Sequence, residues 1–238
     1  MHQDPALADA PWPTIPEGLT VLIPVGSTEQ HGPHLPLDVD TVIAVAVSTA
    51  AADRCGPSVR VAPAVAFGAS GEHQHFPGTI SIGTEALAHT LTELGRSVRT
   101  WAARVVFVNG HGGNIEALER AVAVLTAEGA DVGWLPCRHG DAHAGRPETS
   151  LMLHLAPHRV DMSAAAPGET ASMSDLMPRL RASGVRAVSP NGILGDPRQA
   201  SAAEGAALLA RMTGEVAAAI VAGAARAGSL PGADGANA

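Results

Sequence analysis

Apolar and polar positions alternate in blocks along the chain, and the period of each block changes with its expected element. Residues 19–25 form a continuous apolar run ending in Pro24-Val25, the pattern of a buried strand. A small-residue helical run follows over 41–54 and stops at Gly56-Pro57. Residues 59–65 predict a second strand, and 66–83 a long loop rich in Gly, His and Ser. Over 84–102 the spacing of Leu87, Leu91, Leu94 and Val98 by threes and fours predicts a helix. Residues 104–108 are again continuously apolar, 109–114 a turn, 115–128 a helix ended by Gly129, and 131–135 a strand. A loop over 136–147, a short helix over 148–155, a mixed stretch with a helix over 175–181 and a long Ala-rich helix over 200–226 complete the pattern. Strands alternating with helices predict an α/β chain: a three-layer α/β/α sandwich with a mostly parallel sheet. No repeat or linker divides it, so residues 1–238 read as one domain, with 1–18 and 228–238 as loose termini.

Composition narrows the function. The chain has 238 residues, 46% hydrophobic, enough for a sizeable core, and a net charge of −8. Its 15 basic residues are all Arg and dispersed, so no nucleic-acid partner is expected. The absence of Lys and Tyr excludes Schiff-base chemistry, a P-loop lysine and tyrosine acid catalysis. Two cysteines, Cys55 and Cys137, form no disulfide framework. The first residues lack the basic and apolar regions of a secretory signal, and no apolar stretch is long enough to span a bilayer. A cytoplasmic location away from membranes is expected.

The chemistry concentrates between the first strand and the first helix. Pro24 to Asp40 carries Glu29, His31, His34, Asp38 and Asp40 in a loop stiffened by prolines. Carboxylates and imidazoles at this density suit a divalent transition metal, and loops leaving a parallel sheet are where α/β proteins keep their sites. Asp38 and Asp40 also suit a helix cap. Asn109-Gly110-His111-Gly112-Gly113-Asn114 joins a strand to a helix and suits either a metal-binding His111 or a glycine-rich anion cradle. The second possibility leaves open a non-catalytic nucleotide- or anion-binding protein. Ser70 fails the Gly-x-Ser-x-Gly pattern, which disfavours a serine hydrolase.

Four ordered motifs carry a resemblance to a known family. They are Gly26-Ser27-Thr28-Glu29-Gln30-His31-Gly32-Pro33-His34 with Asp40, then Glu72-His73-Gln74-His75-Phe76-Pro77-Gly78-Thr79, then Asn109 to Asn114, then His143 with Glu148-Thr149-Ser150. Together they resemble the creatininase (creatinine amidohydrolase) family. The resemblance implies two divalent ions (Zn, Fe or Mn), one held by Glu29 and His111, the other by His31 and Glu148, with Asp40 bridging. It also implies an amide hydrolase in which the metal pair activates water, His143 gives the leaving amine its proton, and the chains assemble as homo-oligomers. Glu72, His73, Gly112, Gly113 and Arg146 are expected near the substrate, Gly112 and Gly113 through their backbone N–H groups. The sequence departs from the founding enzyme, which has Tyr and Glu where this chain has Gly112 and Gly113, and tryptophans in the loop matching 136–147. The site is therefore expected to be open. Gly68 to Gln74, Asp141 to Arg146 and Asn191 to Pro197 are closer to a branch that trims a modified precursor peptide. A modified peptide is the expected substrate, with a small amide as the alternative.

Overall fold

Four strands build the sheet: β1 (Thr20–Val25), β2 (Val59–Val61), β3 (Arg104–Asn109) and β4 (Val132–Pro136). In this computed structural model, which describes residues 5–140 and 143–223, they run parallel in the order β2-β1-β3-β4. Alternation along each strand feeds two cores. Leu22, Val106, Val108 and Leu135 face one side. Val21, Ile23, Val105, Phe107 and Trp134 face the other. Both faces are apolar because both are covered, as parallel connections require.

Helices α1 (Val39–Cys55), α4 (Arg146–Leu155) and α6 (Ala202–Val221) cover the first face. Helices α2 (Gly83–Val98) and α3 (Ile115–Ala127) cover the second. This is the three-layer α/β/α architecture expected from the alternation. A further helix, α5 (Met173–Val188), lies outside the layers and packs on the turn at Gly71–His73. Its Leu176, Leu180, Val185 and Val188 bury against Leu194 and Phe76 as a separate small core.

Some boundaries differ from the sequence expectation. The second strand stops at Val61, and Val65 rejoins β1 only as an isolated bridge to Val25; Pro63 cannot donate to a ladder. Helix α1 starts at Val39, so Asp40 sits in its first turn rather than in the loop. Helix α5 is far longer than 175–181, running through Pro178 and a bend at Gly184 (φ 70°). In the segment expected as a loose arm, residues 5–18 hold two short 3-10 turns, and Pro5 O accepts from Val61 N. The expected frayed tail and the end of the last helix, residues 224–238, lie outside the described residues, as do residues 1–4, 141 and 142. No helix among the described residues is long and apolar enough to cross a membrane.

Candidate metal centre

The carboxyl ends of β1, β3 and β4 converge, and the loops leaving them bring the candidate residues together. The loop after β1 supplies Glu29 and His31, and the first turn of α1 supplies Asp40. His111 follows β3 directly. The loop after β4 supplies His143, and the first turn of α4 supplies Glu148. All six are buried. Asn114 ties the loops after β1 and β3 to the loop at Ala69: its amide nitrogen donates to Gly26 O and Asn109 Oδ1, and its Oδ1 accepts from Ala69 N. Asn109 holds the His111 backbone through both ends of its amide.

Asp40 stands at the middle. Its Oδ1 lies 3.3 Å from His31 Nε2 and its Oδ2 3.3 Å from His111 Nδ1. Glu29 Oε2 is 3.2 Å from His111 Nε2, and Glu148 Oε2 is 3.8 Å from His31 Nε2. Two groups of donors therefore share one carboxylate: Glu29, Asp40 and His111, and His31, Asp40 and Glu148. A third group joins Glu29, His31 and His143. Ser27 Oγ donates to Asp40 Oδ2 at 2.6 Å, fixing the shared carboxylate.

The donors fit a divalent cation on an independent observation. Both oxygens of Glu29 and the Nε2 of His31 are buried with no hydrogen-bond partner among the described residues. Buried polar atoms are normally satisfied, so three such atoms within one donor cluster suit a bound cation. His143 faces the same carboxylate. Its Nε2 lies 2.7 Å from Gln30 O and must donate to it, which leaves the Nδ1 lone pair facing Glu29 Oε1 at 3.6 Å. Two electron-rich atoms face each other there, and a proton between them removes the repulsion.

Protonation in the metal-free centre follows the same logic. Burial pushes the Glu29 carboxyl up to about 7, against the pull of His111. Burial opposes charge on His31, but Asp40, with Glu148 and Glu29, outweighs it and holds the imidazole up to about 10. Burial likewise opposes a charged His111, and Glu29 and Asp40 hold it well above the usual range. Protons on the two imidazoles thus supply the positive charge that the carboxylates demand. Burial and the neighbouring charge on His31 hold His143 well below its usual range, so it is neutral.

Gln30 has no assigned role in the sequence reading, yet it organises two rings. Its Nε2 lies 2.9 Å from Gly192 O, 2.9 Å from His73 Nδ1 and 3.0 Å from His143 Nε2. With His143 already donating to the Gln30 carbonyl, the two amide hydrogens go to Gly192 O and His73 Nδ1. His73 then turns its Nε2–H toward Glu29 Oε1, 3.4 Å away. His139, also without a role at first, sits 3.3 Å from Glu148 Oε1. The glutamine and serine lie inside the first motif, but what they contact is set by distant loops.

Two cavities open onto the centre, and both are lined by His111, Gly112, Ile115 and His143. The larger, about 990 Å3, adds Glu72, His73 and Gly113 and extends between α3 and α5. The smaller, about 450 Å3, passes the end of β4 by Arg138. Glu72, His73, Gly112 and Gly113 therefore line the larger cavity. Arg146 does not line either cavity: its Nε donates to Glu204 Oε2 at 2.7 Å, tying α4 to α6. His34 stands behind the centre, with its Nε2 2.9 Å from Thr149 Oγ1.

The creatininase family profile, described as creatinine amidohydrolase, matches residues 8–220. The chain belongs to the creatininase family. It is 58% identical over 198 residues to a protein of Mycolicibacterium smegmatis named mycofactocin precursor peptide peptidase, covering 81% of this chain and 80% of that one. Among solved structures it is similar to a creatininase described as Mn, with a TM-score of 0.73 at 25% identity over 92% of this chain and 98% of that one. A mutant creatininase of Zn-Zn type gives a TM-score of 0.76 at 25% identity, over 92% and 97%. As a creatininase-family member the chain is a hydrolase acting on C–N bonds, and its clustered His, Glu and Asp side chains suit a divalent metal.

Proposed function

We propose that this protein is a metal-dependent peptidase that cleaves the modified mycofactocin precursor peptide and releases its C-terminal, Val-Tyr-derived piece. Identity of 58% to a protein of that name supports the substrate. The observation that carries the chemistry is the pair of donor groups joined at Asp40, with the orphaned oxygens of Glu29 between them. Glu29 and His111 would hold one divalent ion, His31 and Glu148 the other, and Asp40 both. Mixed nitrogen and oxygen donors suit Zn, Fe or Mn. Such a pair supplies Lewis-acid polarisation of the amide carbonyl and a water activated near neutral pH.

The chain's own groups do the rest. His143, neutral and held through Nε2 by the Gln30 carbonyl, turns Nδ1 toward the centre. There it accepts a proton and hands it to the leaving amine. Gly112 and Gly113 leave the mouth beside His111 free of side chains and place backbone N–H groups there, while Glu72 and His73 line the substrate side. A site of this size exceeds what a small ring amide needs and suits a peptide. Two free cysteines, Cys55 and Cys137, support a reducing cytoplasmic setting.

The test is to incubate the metal-loaded enzyme separately with creatinine and with the modified precursor peptide, and to follow products by mass spectrometry. Release of the C-terminal piece is expected. Efficient creatinine opening with an untouched peptide would overturn the assignment.

A further inference from the structure

The larger cavity has an apolar wall that the hydrolytic centre does not use. Ile115 opens α3 on one side and is 40% exposed, and Met173 opens α5 on the other and is 38% exposed. Half-buried Met177 and buried Leu180 continue the α5 side. Glu116 and Glu119 line the α3 side beside Ile115, and Arg181 the α5 side, so the apolar surface is the patch formed by Ile115, Met173, Met177 and Leu180; such a patch left open in an active-site cavity marks where an apolar part of a ligand lies. Methionine suits this use, since its unbranched, polarizable side chain adapts to an irregular shape.

Helix α5 is held where it can form that wall. Arg186 Nη1 donates to His75 O at 2.7 Å, and its guanidinium lies 5.7 Å from the Phe76 ring centroid. The bend at Gly184 brings the helix backbone against Glu72 O, where a Cβ would lie at 2.8 Å. The end of α5 is thus fixed to the loop that carries Glu72 and His73, and its first turns overhang the cavity.

We infer that the larger cavity seats the apolar, ring-bearing C-terminal piece of the peptide between Ile115, Met173 and Met177. The rest of the peptide leaves through the smaller cavity past Arg138. This rests on the peptidase reading above, and it sets the direction in which the peptide crosses the centre. On that reading the released piece derives from Val and Tyr, both largely apolar, whereas the longer polypeptide needs an open exit.

The experiment compares two substrates: the modified peptide, and the same peptide unmodified with alanine at its last two positions. The metal-loaded full chain should prefer the first. In the Met173→Ser, Met177→Ser double variant the ratio of the two kcat/KM values should fall by about tenfold or more, mainly through KM. Affinity for the released piece, measured by calorimetry, should weaken to a similar degree. Met177→Leu, which keeps volume and apolarity, should retain the ratio within about twofold. If the wild type cleaves neither peptide, the peptidase reading falls and this inference with it. If the wild type cleaves the modified peptide and the double variant keeps both ratio and affinity, the inference alone is overturned. An unchanged ratio in a double variant that has become monomeric would assign the wall to a second copy of the chain instead.

Discussion

Both oxygens of Glu29 are buried with no hydrogen bond among the described residues, while Asp40 is held by Ser27 and flanked by two imidazoles. Removing a ligand and removing the proton carrier should therefore differ. His31→Ala and Asp40→Ala should lose metal and turnover together. His143→Ala should keep its metals and lose turnover by about 10²–10⁴-fold, the usual scale for a positioned acid–base group. Metal content measured beside activity separates the two, and loss of an ion in His143→Ala would show that the ring is a ligand. Gly113 gives a sharper case: an added Cβ would lie 2.4 Å from Ala69 O, 2.5 Å from His111 Nε2 and 2.7 Å from Glu72 Oε1. Gly113→Ala should weaken metal binding in a titration while the circular dichroism spectrum stays native, and unchanged affinity would contradict this crowding. At this scale the sequence was legible in which residues meet: Glu29, His31, Asp40, His111 and Glu148, each of a type that suits a metal, come together. It was silent on Gln30, Ser27 and His139, because their contacts come from segments far along the chain. Arg146 lines neither cavity for the same reason, since its partner Glu204 belongs to the last helix.

Helices α4 and α6 meet closely enough that Gly205 must be glycine: a Cβ there would lie 1.9 Å from Ser150 O. Ser150 Oγ also donates to Glu204 Oε2 and accepts from Ser201 N. Gly205→Ala should lower stability by about 1–3 kcal/mol, the usual cost of overpacking. Urea denaturation checks it, and an unchanged midpoint would contradict the contact. Because α4 carries Glu148, the same variant should also bind metal less tightly. The period of apolar residues gave each strand and helix its type. It missed most at α5, where Pro178 lies inside the helix and a non-helical Gly184 kinks it. It also placed the start of α1 too late, since Asp40 is polar yet buried in the first helical turn.

Across the molecule, charge balance in the centre couples protons to metal. With His31 held up to about 10 and His111 raised above its usual range, both rings are protonated at pH 7 without metal. Metal must displace those protons, so affinity should rise with pH. Calorimetry in buffers of different ionisation enthalpy should find more than one proton released per chain at pH 7, and none released would contradict the assignment. The raised His31 also stabilises the metal-free fold. That contribution is fully present below the unfolded value near 6.5 and is lost as pH rises toward 10. The metal-free Tm should accordingly fall between pH 6.5 and 10, whereas a Tm that climbs over this range would reverse the sign. Assembly is a separate expectation: light scattering should find a multiple of the 24.0 kDa chain, and a monomer at micromolar concentration would exclude the homo-oligomer. The centre joined at Asp40 is what every other part of the molecule serves. Elemental analysis of the purified full chain after saturation with Zn, Mn or Fe and removal of loose ions tests it most directly. The prediction is two ions per chain, both weakened by Asp40→Ala. One ion or none in the wild type would contradict it.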